Sequence, residues 1–177
     1  MTQASQARNG SDLCLACGLC CHGVLHNHAE LQGDEIEKAE GLGLEIEREA
    51  DRLYFGLPCR HVSGAACTVY ENRFATCREY RCGLLNNYLS EQVSREQALS
   101  HIAEAKRLLK VVREALPPGK TLRAARREWR ERSANWTGEG TPDQATAALH
   151  LRLTMLYLFL DEHIRNESER GSVIRHD

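Results

Sequence analysis

The sequence predicts a mainly α protein in which a cysteine-rich, loop-dominated N-terminal half packs on a C-terminal helical bundle. Three observations carry that expectation. All eight cysteines fall between Cys14 and Cys82, and the last 95 residues hold none. Past Cys82 the apolar residues recur at intervals of three and four, the spacing of one helix face. The composition agrees, with 42% hydrophobic residues to build a core, 27% charged and only 6% aromatic. A length of 177 residues predicts one domain or one domain with an extension. Residues 1–12 read as a flexible tail, 13–90 as the cysteine region and 91–177 as the helical region.

Within the cysteine region, the stretch from Glu30 to Asp51 holds nine acids and two bases. Its segment Asp34 to Glu40 suits a short helix stopping near Gly41 or Gly43. Leu53-Tyr54-Phe55 suits a brief strand running to Pro58. Beyond Cys82, Ser94 followed by Gln97 forms a capping box at the head of a helix. Ala98, Ile102, Ala105, Leu109, Val112 and Leu116 line one face of it, and Pro117-Pro118-Gly119 stops it. Thr121 caps a second helix, with Leu122, Ala125 and Trp129 facing inward. Residues 135–141 read as a loop. Thr141-Pro142-Asp143-Gln144 opens a last helix that runs to about Glu167. Leu149, Leu153, Leu156 and Leu160 form one stripe of it; Leu151, Met155, Leu158 and Phe159 form a second. Apolar on two sides, it is expected at the centre of the bundle, ahead of a dimer interface.

Several function classes drop out early. Lysine and arginine total 23 against 25 acids, so no overall field points to nucleic acid or an anionic membrane. The longest strongly apolar run, Leu153 to Leu160, is too short to span a bilayer. Residues 1–10 lack the apolar stretch of a signal peptide, so the chain is expected in the cytoplasm.

A reducing compartment rarely keeps structural disulfides, and this turns the cysteines toward metal. Cys14, Cys17, Cys20 and Cys21 spell C-x2-C-x2-C-C, with Gly18 easing the turn. Bacterial ferredoxins draw three ligands from the same triplet spacing and a fourth from elsewhere. Adjacent α-carbons lie about 3.8 Å apart, short of the usual disulfide span, so Cys20 and Cys21 make poor partners for each other. One can serve a first site while the other serves a second or packs inside. Cys59, Cys67, Cys77 and Cys82 follow at irregular intervals, among Arg60, Arg73, Arg78 and Arg81. Guanidinium groups there would neutralise thiolate charge or donate to sulfur. His22, His26, His28 and His61 stand as alternative ligands.

These residues resemble a known family. The run Cys14-x2-Cys17-x2-Cys20-Cys21, then Cys67-Thr68-Val69-Tyr70-Glu71-Asn72-Arg73, then Cys77-Arg78 is similar to the YkgJ-like "CxxCxxCC" proteins of bacteria. The likeness covers residues 14–82 and extends to Cys59, with one departure: Phe74 stands where the family usually has proline. The resemblance implies zinc or iron chelation and no agreed reaction. All eight cysteines are therefore candidate metal ligands. Soft thiolates take zinc or an iron–sulfur cluster, and the ferredoxin-like triplet tips the choice toward the cluster.

The leading expectation is a cytoplasmic metal-binding protein with zinc or an iron–sulfur cluster in its first half. A cluster-dependent protein-modifying enzyme is one alternative, although no nucleotide loop, H-E-x-x-H or nucleophile elbow supports catalysis. A zinc-scaffolded adaptor for RNA or protein is another. It would draw on Arg123, Arg126, Arg127 and Arg130, which share one helix face in a stretch of ten bases and three acids from Lys106 to Arg132. No RNA motif or aromatic platform accompanies that stripe, so nucleic acid is not the expected partner.

Overall fold

The structure, a computed structural model, describes residues 9–135 and 142–171. Helix α1 (Ser11–Cys17) comes first, beginning within the last two residues expected as tail, and carries Cys14 and Cys17. It stops at Gly18, whose φ of 70° is left-handed and whose N–H donates to the Cys14 carbonyl. A Cβ on Gly18 would stand 3.0 Å from the Ala65 Cα, so both the turn and the close approach require glycine. The chain then folds tightly: the Gly23 amide donates to the Cys20 carbonyl at 2.9 Å and the Val24 amide to the Leu19 carbonyl at 3.0 Å.

Three strands follow, β1 (His28–Leu31), β2 (Ile46–Glu49) and β3 (Arg52–Gly56), paired antiparallel in the order β1-β3-β2. A 3-10 turn (Gly33–Glu35) and helix α2 (Ile36–Gly41) connect β1 to β2. The strand expected around Leu53-Tyr54-Phe55 is the central one. Its neighbours escape a sequence reading because they are edges: β1 buries only Leu31 and β2 buries no residue fully. A two-residue ribbon pairs β4 (Val62–Ser63) with β5 (Ala66–Cys67). Helices α3 (Ala75–Glu79) and α4 (Gly83–Leu89) carry the chain past Cys77 and Cys82.

The bundle consists of α5 (Arg95–Glu114), α6 (Leu122–Ala134) and α7 (Gln144–His163). The capping box at the head of α5 forms as expected: the Gln97 amide donates to Ser94 Oγ at 3.1 Å, and the Ser94 amide to Gln97 Oε1 at 2.9 Å. Thr121 caps α6 by accepting from the Ala124 amide at 3.2 Å. Two expectations about α7 need correction. Its N-cap is Asp143, whose carboxylate accepts from the Ala145 and Thr146 amides, so Pro142 precedes the cap (Thr141 lies outside the described residues). Its end is His163, because the chain breaks into a 3-10 turn at Glu167–Glu169. The stripe of Leu149, Leu153, Leu156 and Leu160 is buried as expected. On the second face Leu151, Met155 and Leu158 are exposed, so α7 is covered on one side.

Two apolar cores hold the chain. The larger joins Leu13, Leu19, Val24 and Leu25 to α4, α5, α6 and α7, which anchors the first cysteine loop in the bundle. The smaller rests on four buried residues, Leu31, Ala39, Phe55 and Phe74, beneath the sheet. Phe74 has a φ of −64°, the value that proline would impose, and its ring packs 5.1 Å from that of Phe55. Ring burial therefore replaces proline in setting the turn before Cys77. Past α7 the chain returns to the last cysteine. The Leu84 amide donates to the Ile164 carbonyl at 3.1 Å, and Tyr80 Oη donates to Glu169 at 3.0 Å.

Candidate metal centre

Each cysteine is placed by a short local device. Cys14 and Cys17 sit one turn apart on α1, and the Gly18 turn brings Cys20 and Cys21 round behind them. The Cys59 amide donates to the Cys21 carbonyl at 2.8 Å, which ties the loop after β3 to the doublet. Cys67 ends the β4–β5 ribbon. Cys77 rides on α3, whose first amide, that of Ala75, donates to the buried Glu35 carboxylate at 2.7 Å. Cys82 precedes α4 and is clamped by the Arg165–Asn166 segment. A Cβ on Gly83 would come within 2.3 Å of the Arg165 carbonyl oxygen.

All eight are free thiols, and all eight line one cavity of about 320 Å³. The structure thus brings together every cysteine that the sequence singles out. Their mutual charge effects form two overlapping groups, bridged where Cys20 feels Cys21 and Cys21 feels Cys14. Cys17 and Cys20 each feel Cys82 and Cys14, and Cys82 feels Cys14. Cys21 feels Cys67 and Cys59, and Cys77 feels Cys21, Cys59 and Cys67. Among the thiols, Cys20 couples most strongly to Cys82 and Cys17, and Cys21 to Cys67 and Cys59. Among the described residues, no three His, Cys, Asp or Glu side chains stand as a ready cage for a metal ion. The thiols face a common space instead.

Burial, reinforced by neighbouring thiolates, holds Cys17, Cys20, Cys21 and Cys77 protonated. It pushes Cys17 and Cys77 up to about 12, Cys21 up to about 11 and Cys20 well above the ordinary 9.0. Positive charge works the other way. Arg73 lowers Cys14 and Cys77, and Lys106 lowers Cys17. Arg73 is the one expected guanidinium that lines the cavity; it stacks 3.5 Å above the Tyr70 ring and donates to the Tyr70 carbonyl. Arg60 and Arg78 are spent on the carbonyls of Gly43 and Arg73. Lys106, on α5, has no signal in the cysteine motif. Its Nζ donates to the Ala16 carbonyl at 2.6 Å, next to Cys17.

The histidines separate as well. His22 Nε2 lies 2.6 Å from the Gly64 carbonyl and His61 Nε2 lies 2.8 Å from that of Leu42, so both are held by backbone. His26 and His28 line the thiol cavity. The His26 ring meets Tyr80 edge-on at 4.6 Å, and its buried Nε2 has no hydrogen-bond partner among the described residues. Burial lowers its pKa and keeps the ring neutral, the form in which imidazole binds metal or accepts a proton.

Thiols from six segments thus surround one space, with a neutral imidazole on its wall and two cations near it, a donor set of the kind that soft metals take. The comparison with known families agrees. A family model described as "CxxCxxCC: Putative zinc- or iron-chelating domain" matches residues 13–103, and the chain belongs to that family. The match runs beyond Cys82 through α4 and into α5, the elements on which the first cysteine loop packs. No curated protein and no solved structure gives a match. No helix among the described residues is long and apolar enough to cross a membrane.

Proposed function

We propose that this is a cytoplasmic metal-centre protein whose eight thiols form two sets of ligands, Cys14, Cys17, Cys20 and Cys82 in one and Cys21, Cys59, Cys67 and Cys77 in the other. The observation that carries the proposal is the convergence of all eight thiols on one cavity, within which Cys20 couples most strongly to Cys82 and Cys17, and Cys21 to Cys67 and Cys59. An iron–sulfur cluster is the preferred occupant. The first set contains the ferredoxin-like triplet with a distant fourth cysteine, and a space between sulfurs suits a cluster whose iron and sulfide separate the thiolates. Bound there, a cluster supplies one-electron redox chemistry. The protein's own residues shield and tune it: Arg73 and Lys106 offset thiolate charge, while His26 and Tyr80 close the cavity wall.

Anaerobic purification with iron, zinc and acid-labile sulfide analysis tests the reading. Brown protein containing iron and sulfide supports it. Colourless protein with stoichiometric zinc replaces the cluster by zinc on the same ligands. Protein purified without either metal, and unable to take one up, overturns the proposal.

A further inference from the structure

A second cavity, of about 520 Å³, lies against the start of α6 and shares no lining residue with the thiol cavity. Four arginines, Arg123, Arg126, Arg127 and Arg130, line it together with Thr121 and Asn27. The arginine stripe is therefore not a flat solvated face. Arg123 and Arg127 are exposed, but Arg126 is only 3% exposed.

Arg126 is the unusual member. Its Nη1 donates to the Val24 carbonyl and to Tyr157 Oη, both at 3.0 Å. Its Nη2 is buried with no acceptor among the described residues, and the Asn27 amide oxygen, also buried, has no donor there. An unmet guanidinium N–H in a buried setting is costly, and native structures seldom leave one. An oxyanion in the adjoining cavity would accept from Nη2. Asn27 would serve the same anion through its NH2 group once the amide is turned over.

The helix supplies a second, independent argument. The first turn of a helix carries about +0.5 of an elementary charge and favours an acidic side chain. The first turn of α6 has no acid and places Arg123 there. Positive charge has been added to an already positive end, which makes sense where an anion binds. Glu131 is the opposing group in the wall. It stands 3.9 Å from Arg127 Nε, so its charge is partly met, and Arg123, Arg126 and Arg127 line the cavity with it.

We infer that this cavity binds a phosphorylated small molecule, with its phosphate at the first turn of α6 between Arg123, Arg126 and Arg127. Phosphate suits converging arginines because guanidinium donates to it in pairs. The volume lies within the range of about 300–1,000 Å³ typical of small-molecule sites and leaves room for an organic body beside the phosphate. The site also adjoins the centre: Asn27 lines the anion cavity, while His26 and His28 on either side line the thiol cavity.

Calorimetric titration of the full chain at low salt, with inorganic phosphate, pyrophosphate and ADP as probes, tests the inference without reference to metal content. Saturable binding is expected, tighter for pyrophosphate or ADP than for inorganic phosphate. Arg123→Gln and Arg127→Gln, both on exposed side chains, should each weaken it about tenfold while the circular dichroism spectrum stays unchanged. Arg126→Lys, which keeps the charge and removes the buried Nη2, should weaken it at least as much. Absence of saturable binding, or affinity unchanged in the variants, overturns the inference. Inorganic phosphate binding as tightly as ADP overturns it in favour of a simple ion site. Binding confined to homopolymer RNA, with a steep salt dependence, overturns it in favour of a nucleic-acid surface.

Discussion

The amide of Cys59 donates to the carbonyl of Cys21 at 2.8 Å, so the second half of the cysteine doublet is held against the later cysteines by backbone, whatever the thiols themselves bind. Cys20 has no such tie to the later segment, and among the thiols it couples most strongly to Cys82 and Cys17. Substituting the two adjacent residues should therefore affect different sites. Cys20→Ser is expected to remove the metal held with Cys82, and Cys21→Ser the metal held with Cys59, Cys67 and Cys77. Either change alone should leave about half the metal bound, and the two together none. Metal and sulfide analysis of the three proteins checks this. Complete loss from either single substitution would mean that one centre draws on both cysteines.

The high thiol pKa values predict opposite pH responses for metal-free and metal-loaded protein. In the metal-free fold burial pushes Cys17 and Cys77 up to about 12 and Cys21 up to about 11, against an ordinary value of 9.0 in the unfolded chain. A group raised in the folded state contributes stability below its unfolded pKa and loses it as pH rises toward the folded one. The Tm of metal-free protein should fall progressively above pH 9.0. Metal binding instead requires thiolates and releases protons, so apparent affinity should rise with pH over the range below the thiol pKa values. Thermal melts of both forms from pH 7 to 10.5, with a competing chelator for the affinity, measure the two trends. Parallel melting curves would refute the prediction.

Chelation should act on one half of the molecule more than the other. The sheet rests on only four buried residues, Leu31, Ala39, Phe55 and Phe74, whereas α5 and α7 share the large core. A small core of that size needs a staple, and a structural metal supplies stabilisation of the order of 10 kcal/mol in comparably small domains. After metal removal, amide exchange should accelerate in β1, β2, β3 and the Cys59–Cys82 segment while α5 and α7 keep their protection. Uniform acceleration along the chain would show instead that both halves unfold as one unit.

The features visible in the sequence are those written locally. Ser94 and Gln97 specify a cap within one turn, and the buried stripe of α5 repeats at helical spacing, so both emerge from residues near one another. The thiols are legible for the same reason. The proposed division of the doublet is not, because it depends on where Cys59 and Cys82 return after a sheet whose edge strands bury almost nothing of their own. Lys106 and His26 are hidden for a related reason: one reaches the centre from a distant helix, and the other is set apart from the other histidines near the motif only by a buried Nε2 with no partner among the described residues. Arg126 looks like any member of a basic stripe until packing buries it.

Asp161 and Arg165 offer a test of how the end of α7 supports Cys82. Arg165 Nη1 donates to Asp161 Oδ1 at 2.6 Å, with the two side chains 2% and 13% exposed. Arg165 Nη2 also reaches the Leu25 carbonyl at 3.4 Å, and the Arg165 backbone lies against Gly83, next to Cys82. Asp161 further accepts from the Gly171 amide at 2.9 Å, closing the turn beyond the helix. Removing one member of a buried ion pair leaves the other charge without a partner, at a cost of about 3–5 kcal/mol. Asp161→Ala should therefore lower stability by about 3 kcal/mol in denaturant unfolding. Substituting both residues, Asp161→Leu with Arg165→Met, should recover part of the loss because no charge is then buried alone. Because this pair braces the segment that clamps Cys82, Asp161→Ala should also weaken metal retention at the site shared with Cys14, Cys17 and Cys20, and leave the Cys21 site intact. Chelator-release kinetics separate the two: a slowed or unchanged fast phase in Asp161→Ala would show that the clamp plays no part in holding the metal.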